Sequence, residues 1–597
     1  MELPAAFVGL SRRFLVAIVL LLCAGSVTAG DVPTSFVDRG DRAAEKIRAA
    51  EAADTIAERN RLIDEALVIL DALIHHPDAS ADIVTRSRFD RLLALRARED
   101  MEAVVAEWKA LVEAGHAPPT WITVAAADAY LYLREPQRAL ELYQQALADD
   151  PEYQQARQAM FWAYIEREHF TRAMALTDEL VVESEPGSGE HQQARIAAAM
   201  VRAYANQLDD AQARLEAVVA DHPENSEARR NLATIYRWRG WPHRALDQLA
   251  PLLDTAPEHT GNRLLHAGLL NDLGRYRETH ETLEQLYRDH PENRHVERDW
   301  NAWQERRRWS ISLGGEYGES DGIQQFGSRD RSWDMRLAAP WIGKHLQPYA
   351  RATYADARFP EGEAEYDRYG IGVHYRRHRH QLHIEGHANR SGPSDSGLTV
   401  GYDWQSGDHW SFATRYESFS TDVPLRGRRQ GLDGHKAEAA IRWQAHESLS
   451  FRAGASRLAI SDGNVRLASL ASIRHRLHAS AHHVTDGTLD AYYSQASQTG
   501  GPYFNPEKDG SVFYQLQHDW LTWRRYERSL TQRFVLGGGG YWQQDFGSDA
   551  IGLVRYEHLW QLSQRWFVRY GVGAASRVYD GDRETRIDGQ FRLEGVF

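Results

Sequence analysis

An all-α superhelical repeat solenoid followed by an all-β transmembrane barrel of about 16 antiparallel strands is the fold class the sequence predicts. Three observations predict it. In the first half, prolines and small residues recur every 34 positions; near Trp309 the pattern changes to short segments alternating apolar and polar residues. An export signal heads the chain, and no later segment offers the ~18 consecutive apolar residues of a membrane helix. An exported chain that enters a membrane without such a helix enters it as a closed barrel.

The compartment is read from residues 1–29. Arg12 and Arg13 precede an apolar run from Phe14 to Ala24, and Val27-Thr28-Ala29 supplies a signal-peptidase site, so the mature chain is expected to begin near Gly30. The run is too short to span ~30 Å of hydrocarbon. The only cysteine, Cys23, lies inside it with Leu22 before it, which argues against a lipoprotein signal. A mature chain without a thiol has no disulfide, cysteine–metal site or cysteine nucleophile. With 18 Trp, 26 Tyr and 45 Gly, the composition suits a barrel with aromatic girdles, although a sugar-binding protein also carries many aromatics.

Residues 30–305 read as a helical repeat domain. Pro223, Pro257 and Pro291 are spaced by 34, as are Ala211 and Ala245, Ala233 and Ala267, Gly240 and Gly274, and Ala139 and Ala173. That period is the tetratricopeptide length. Small residues belong where paired helices cross, and a proline belongs after the second helix, which it cannot continue. Tyr130, Tyr164 and Tyr236 fill an aromatic position of the first helices, and an insertion at 185–189 breaks the phase. Weaker repeat-like helices are expected from about Ala43 to Ala114.

Residues 306–597 read as the barrel. Strict alternation runs through Trp309–Tyr317, Trp333–Leu337, Leu382–Ala388 and Trp566–Tyr570. The last segment places Ile587, Phe591, Leu593 and Phe597 on one parity and Asp588, Gln590, Arg592 and Glu594 on the other. A closing strand with a terminal Phe resembles the sorting signal of outer-membrane barrels. At about 18 residues per strand and turn there is room for roughly 16 strands, enough to enclose a water-filled lumen. By parity, Glu316, Asp334, Arg336, Glu385, Asp588, Gln590, Arg592 and Glu594 are expected to face inward.

Three local stretches carry a family resemblance: Val423-Pro424-Leu425-Arg426, Pro502-Tyr503-Phe504-Asn505-Pro506 and Tyr579-Asp580-Gly581-Asp582-Arg583-Glu584. With Leu521–Glu527 and the Gly-rich strand leading to Tyr541-Trp542-Gln543, they stand in the order found in the poly-β-1,6-N-acetyl-D-glucosamine export porins, the PgaA family. The chain resembles that family across nearly all of its barrel half and in having repeats before the barrel, though the helical half is shorter than in the best-known members. The resemblance implies an outer-membrane porin of a Gram-negative bacterium, with the repeats in the periplasm. It would pass a partly deacetylated glucosamine polymer outward for the biofilm matrix, aided by a periplasmic polysaccharide deacetylase and an inner-membrane synthase. It also places Arg426, Tyr503, Asn505, Asp580, Asp582, Arg583 and Glu584 along the pore or at its rim.

Charge is divided unevenly. Residues 31–305 carry 49 acidic and 31 basic side chains, so with a chain total of −14 and about +1 from the signal the barrel half is left near +3. Acidic helical faces keep a domain soluble, but an acidic groove would also concentrate a polymer bearing ammonium groups. Repeat phase puts Asp128, Trp162 and Glu166 on the first helices, which line the concave side; there carboxylates could meet ammonium groups and an indole could stack on a sugar. Packing of Trp162 between repeats is the plainer alternative.

No chemistry is legible. No pair of carboxylates is set apart, no phosphate loop or serine elbow occurs, and no cofactor is implied. His383, Glu385 and His387 share a strand face, but lumen lining or an exposed hairpin is the favoured reading over a metal site. Acidic charge and export disfavour nucleic acid. Three readings stand beside polymer export: a neutral, cellulose-type polysaccharide exporter, a repeat adaptor merely anchored by its barrel, and a barrel-borne hydrolase.

Overall fold

The structure, a computed structural model, describes residues 34–53, 55–322, 325–390 and 396–597; the export signal expected at residues 1–29 lies outside them. The chain forms two compact units. One contains the helices as far as residue 235 together with 245–268 and 280–301; the other contains 302–597 together with 236–244 and 269–279.

Among the described residues fifteen helices, α1 (Thr34–Glu51) to α15 (Arg294–Gln304), precede the barrel. Their ends follow local rules. Thr55 caps α2 (Ile56–Ile74) by accepting from the Glu58 N–H, Asp100 caps α4 (Met101–Glu113), and Pro136 occupies the first turn of α6 (Pro136–Asp149). Ala139, Ala173, Ala211, Ala233 and Ala245 are fully buried, so the 34-residue spacing marks close helix crossings. The turn inside the hairpins recurs in the left-handed region at Arg134 (φ 64°), Glu168 (60°), Asn206 (64°), Gly240 (88°) and Gly274 (70°), spaced by 34 except between Glu168 and Asn206, where the insertion at 185–189 lengthens the interval to 38. Only the last two positions carry the glycine that favours such a helix end.

Sixteen strands, β1 (Ser310–Ser320) to β16 (Asp582–Val596), close into an antiparallel barrel of sequential neighbours. β1 pairs with β16 from Ser310↔Val596 to Ser320↔Arg586, and Trp309 and Phe597 exchange backbone hydrogen bonds at 3.1 and 3.0 Å. No helix among the described residues is long and apolar enough to cross a membrane; the strands do so. The outward parity carries exposed Tyr317, Trp333, Ile371, Leu536, Val572, Ile587 and Phe591. Exposed Trp404, Trp410, Trp520 and Trp523 lie toward the end holding both barrel termini, and Tyr416, Tyr493 and Trp542 toward the other, as two interfacial girdles.

The Gly537–Gly540 run has a packing reason. It lies in β13 (Arg528–Gln543), and a Cβ on Gly537 would sit 2.5 Å from the Phe513 ring of β12 (Lys508–Arg525). On Gly539 it would sit 2.1 Å from the Val512 carbonyl oxygen. The glycines let an aromatic ring lie against the inner wall.

Candidate functional site

The inward parity is polar and extensively ion-paired. Arg586 bonds Glu316 (2.6 Å) and Asp330 (2.7 Å) and approaches Asp588 (3.3 Å), which also accepts from Arg555 (2.8 Å). Gln590 donates to Glu316 (3.2 Å), and Arg592 pairs with Glu594 (2.6 Å). Asp334 accepts from Arg351 (2.6 Å) and Thr353 (2.8 Å). Arg336 lies over the Tyr349 ring at 4.1 Å, and the Tyr349 hydroxyl donates to Glu385 (3.0 Å). The eight residues assigned inward from parity thus fall into four pairings: Glu316 with Gln590 and, through Arg586, Asp588; Arg592 with Glu594; Asp334 with Arg351 and Thr353; and Arg336 with Glu385 through Tyr349. Such pairing presents alternating charge to a passing chain without a deep trap of either sign.

His383, Glu385 and His387 also share the inward face, and His374 stands opposite His383 across β4 (Gly362–Arg377) and β5 (His380–Asn389). His383 turns to Asp403 (3.3 Å). Among the described residues no three His, Cys, Asp or Glu side chains converge as a metal site.

At the end away from the barrel termini, loops fold inward. Phe326 lies 4.7 Å from the Arg586 guanidinium, and the segment 418–433 crosses the mouth. That segment joins β7 (Trp410–Glu417) to β8 (Gly434–His446), yet Leu425 packs on Ala357, Phe359 and Ala364, inward residues of β3 (Leu346–Phe359) and β4. Its other flank places Val423 against Leu458 and Ile460 of β9 (Leu449–Ile460) and against Tyr503. Touching strands on both sides of its own origin, it folds inside the barrel mouth against the inner faces of β3, β4 and β9. Arg368 of β4, 2% exposed, anchors it by donating to the Glu417 carboxylate and to the Phe419 carbonyl (2.6 Å). Arg428 donates to the Val423 carbonyl at 3.1 Å and to that of Ser420, and lies over the Tyr366 ring at 4.2 Å.

The three stretches that carried the family resemblance meet here. Arg426 pairs with Glu361 at the β3–β4 turn (2.5 Å). Tyr503 and Asn505 are 6% and 8% exposed and sit inside the loop packing: the Tyr503 hydroxyl donates to Asp462 (2.8 Å), and the Asn464 amide donates to Tyr503 (3.1 Å) and Asn505 (2.9 Å). Phe504 meets Tyr579 edge-on at 4.9 Å. Asp580 (φ 51°) and Gly581 (φ 81°) turn the last hairpin, with Asp580 accepting from Gln543 (2.6 Å). Asp582 is exposed, Arg583 pairs with Asp549 (2.5 Å), and Glu584 is buried against Gly322. Sequence reasoning missed Arg368, Glu417 and Arg428; each stands outside any local pattern.

The helical unit encloses a cavity of about 290 Å³ lined by helices from both of its ends. Asp128 of α5 (Thr120–Tyr132) and Trp162 of α7 (Gln154–Glu166) are on its wall; Glu166 is half-buried beside Tyr204 instead and does not reach it. Asp128 is already satisfied, by Arg96 (2.5 Å) and the Tyr143 hydroxyl (2.6 Å). Trp162 is 5% exposed and packs on Phe161 and Tyr204. Glu51 and Glu190 are wall carboxylates without an ion-pair partner among the described residues, and burial pushes the Glu51 carboxyl up from its usual range.

With this architecture in view, the barrel can be compared with known proteins. The PgaA membrane beta barrel domain matches residues 306–597, and a tetratricopeptide repeat matches 130–199. The poly-beta-1,6-N-acetyl-D-glucosamine export proteins of Escherichia coli strain K12 and of Escherichia coli O157:H7 are each 25% identical to the chain over 572 residues, covering 90% of it and 69% of their own length. The barrel half of the chain is a PgaA membrane beta barrel domain. Among solved structures, a bacterial polysaccharide outer membrane secretin aligns over 49% of the chain and 99% of its own, with 24% identity and a TM-score of 0.47. The protein is an outer-membrane protein with a tetratricopeptide-repeat region followed by a closed 16-stranded barrel.

Proposed function

We propose that this protein exports partly deacetylated poly-β-1,6-N-acetyl-D-glucosamine from the periplasm to the cell surface, by guided diffusion and without covalent chemistry. The observation that carries the reading is the closed barrel whose inner face is polar and ion-paired, in a chain whose curated relatives are named for export of that polymer. A sliding sugar chain needs many weak contacts and no strong one, and paired lumen charges supply them. Glu316, Asp334, Arg336, Glu385, Asp588, Gln590, Arg592 and Glu594 are the proposed pore lining. Arg426, Tyr503, Asn505, Asp580, Asp582, Arg583 and Glu584 belong to the rim and its inward loops. The segment 418–433 is the gate that the polymer displaces.

The helical unit gathers the polymer on the periplasmic side, with Asp128 and Trp162 in the cavity wall and Glu51 and Glu190 free to meet ammonium groups. Glu166 is the weakest of the groove assignments, because it stands off that wall. A periplasmic deacetylase and an inner-membrane synthase would supply the substrate.

The test is the fate of the glycan. Deleting the protein should leave deacetylated glucosamine polymer inside the cell, and re-expression should return it to the surface; normal secretion in the deletant refutes the reading. Retention of a neutral glucan would turn it to a cellulose-type exporter, and full export by a barrel lacking its repeats would leave the helical unit an adaptor. Polymer shortened by incubation with pure protein would establish a hydrolase. Capture by charge should also fade as added salt shortens the Debye length from about 10 Å at 0.1 M to about 3 Å at 1 M.

A further inference from the structure

In an open solenoid each repeat touches only its neighbours. This helical unit instead closes on itself. The turn between α3 (Ala81–Ala97) and α4 meets the segment leading into α15, 194 positions further along the chain. Glu99 accepts from the Asn293 amide (3.0 Å) and lies 3.6 Å from the His290 ring nitrogen. Arg98 donates to Glu292 (3.1 Å), and the Tyr132 hydroxyl accepts the Arg294 N–H (2.5 Å) while its ring meets His295 edge-on at 5.6 Å. The other ring nitrogen of His290 meets the Thr260 hydroxyl at 2.9 Å. His290 and Asn293 are 3% and 1% exposed, so the inner part of this seam is dry, with the Arg98–Glu292 pair at its exposed edge.

Glu99, His290, Asn293 and Thr260 are also part of the cavity wall. The wall therefore runs from the first helices through α5 and α7 and back to the last repeat, with a hydrogen-bonded seam where an open groove would have its side entrance. Opening it would strip buried polar groups of their partners, which is unfavourable unless others replace them.

We infer that the cavity receives the polymer by a chain end and not along its flank. The inference rests on the proposed function for the identity of the ligand. The interior suits a terminal sugar: the Glu51 carboxylate has no ion-pair partner, and the Gln154 and Gln158 side chains, half-buried on the wall, donate no hydrogen bond among the described residues. They can take an ammonium and hydroxyl groups that a terminal unit presents unencumbered. Capturing an end rather than a middle would also deliver the polymer already oriented for passage.

The test uses the full-length protein in detergent and partly deacetylated β-1,6-glucosamine oligosaccharides, with free ends or with both ends coupled to a bulky protein. Calorimetric affinity for the end-blocked form should be at least tenfold weaker, and Glu51→Gln should weaken binding of the free-ended form several-fold. Arg98→Cys/Glu292→Cys joined by a short bis-methanethiosulfonate linker, which a reductant cleaves, should bind free-ended oligomer within twofold of wild type. Equal affinity for both forms overturns the inference. So does loss of free-ended binding on cross-linking that returns when the linker is cleaved, because a seam that must open is a flank entrance. Absence of binding to the unmodified protein also overturns it, while export itself is judged separately by where the polymer accumulates in cells.

Discussion

Replacing Glu417 with Ala should release the inward-folded segment 418–433. Arg368 is 2% exposed and makes three contacts in this region: the Glu417 carboxylate, the Phe419 carbonyl (2.6 Å) and the Asn389 amide oxygen (3.4 Å). Removing one partner of a buried ion pair leaves an uncompensated charge and costs about 3–5 kcal/mol. Since each 1.4 kcal/mol is a factor of ten, the ratio of closed to open loop falls by about two to three and a half orders of magnitude if the segment bears the whole loss. Glu417→Gln retains an acceptor and should fall between the two. Arg368→Met/Glu417→Leu removes both charges and should recover most of the closure. Single-channel recording in planar bilayers, alongside sensitivity of cells to a large antibiotic, reads the open fraction. Wild-type currents in Glu417→Ala, or a double mutant as leaky as the single one, would refute the anchoring role.

Three further predictions follow from other parts of the molecule. Cysteines placed at Asp588 or Gln590 should react with water-soluble reagents and those at Ile587 or Phe591 with lipid-phase probes; the reverse would mean that the register of β16 is wrong by one residue. Burial pushes the carboxyl of Asp90 in α3 up to about 6 from 3.8, so the folded state binds the proton more tightly than the unfolded one; the associated stability is full below about pH 4 and is lost as the pH rises through 6. Asp90→Asn should therefore stabilise the helices by about 1–3 kcal/mol at pH 7 and add nothing below pH 4; helical melting that gains equally at both pH values would contradict this. Gly539→Val forces a side chain against the Val512 carbonyl and should cost about 1–3 kcal/mol or more, read as a lower temperature for conversion of the heat-modifiable band.

Much of the architecture was legible because it arises from local constraints repeated many times. A helix pair that must nest against its neighbour needs a small residue at the same place in every repeat, so Ala139, Ala173, Ala211 and Ala245 announced the solenoid before any contact was known. A strand between lipid and water must alternate, so Asp588, Gln590, Arg592 and Glu594 could be assigned a face from parity, and length alone set about sixteen strands. The chemistry of the groove was less legible. Asp128 lies on the cavity wall, but Arg96 and Tyr143 already occupy it; Glu166, one turn beyond Trp162, stands off the wall.

What the sequence alone determined is therefore the period, the order of the two halves, the inward and outward faces of the strands and the resemblance that names the family. What only the tertiary structure decided is which distant groups meet. Arg368 reaches Glu417 across 49 positions, Glu99 reaches Asn293 across 194, and Tyr503 buries itself beside Val423 because barrel closure and superhelical curvature bring them together. Periodicity constrains one residue against its own backbone and the medium beside it. A salt bridge across a lumen or a seam between end repeats depends on accumulated twist, which no short stretch of sequence encodes.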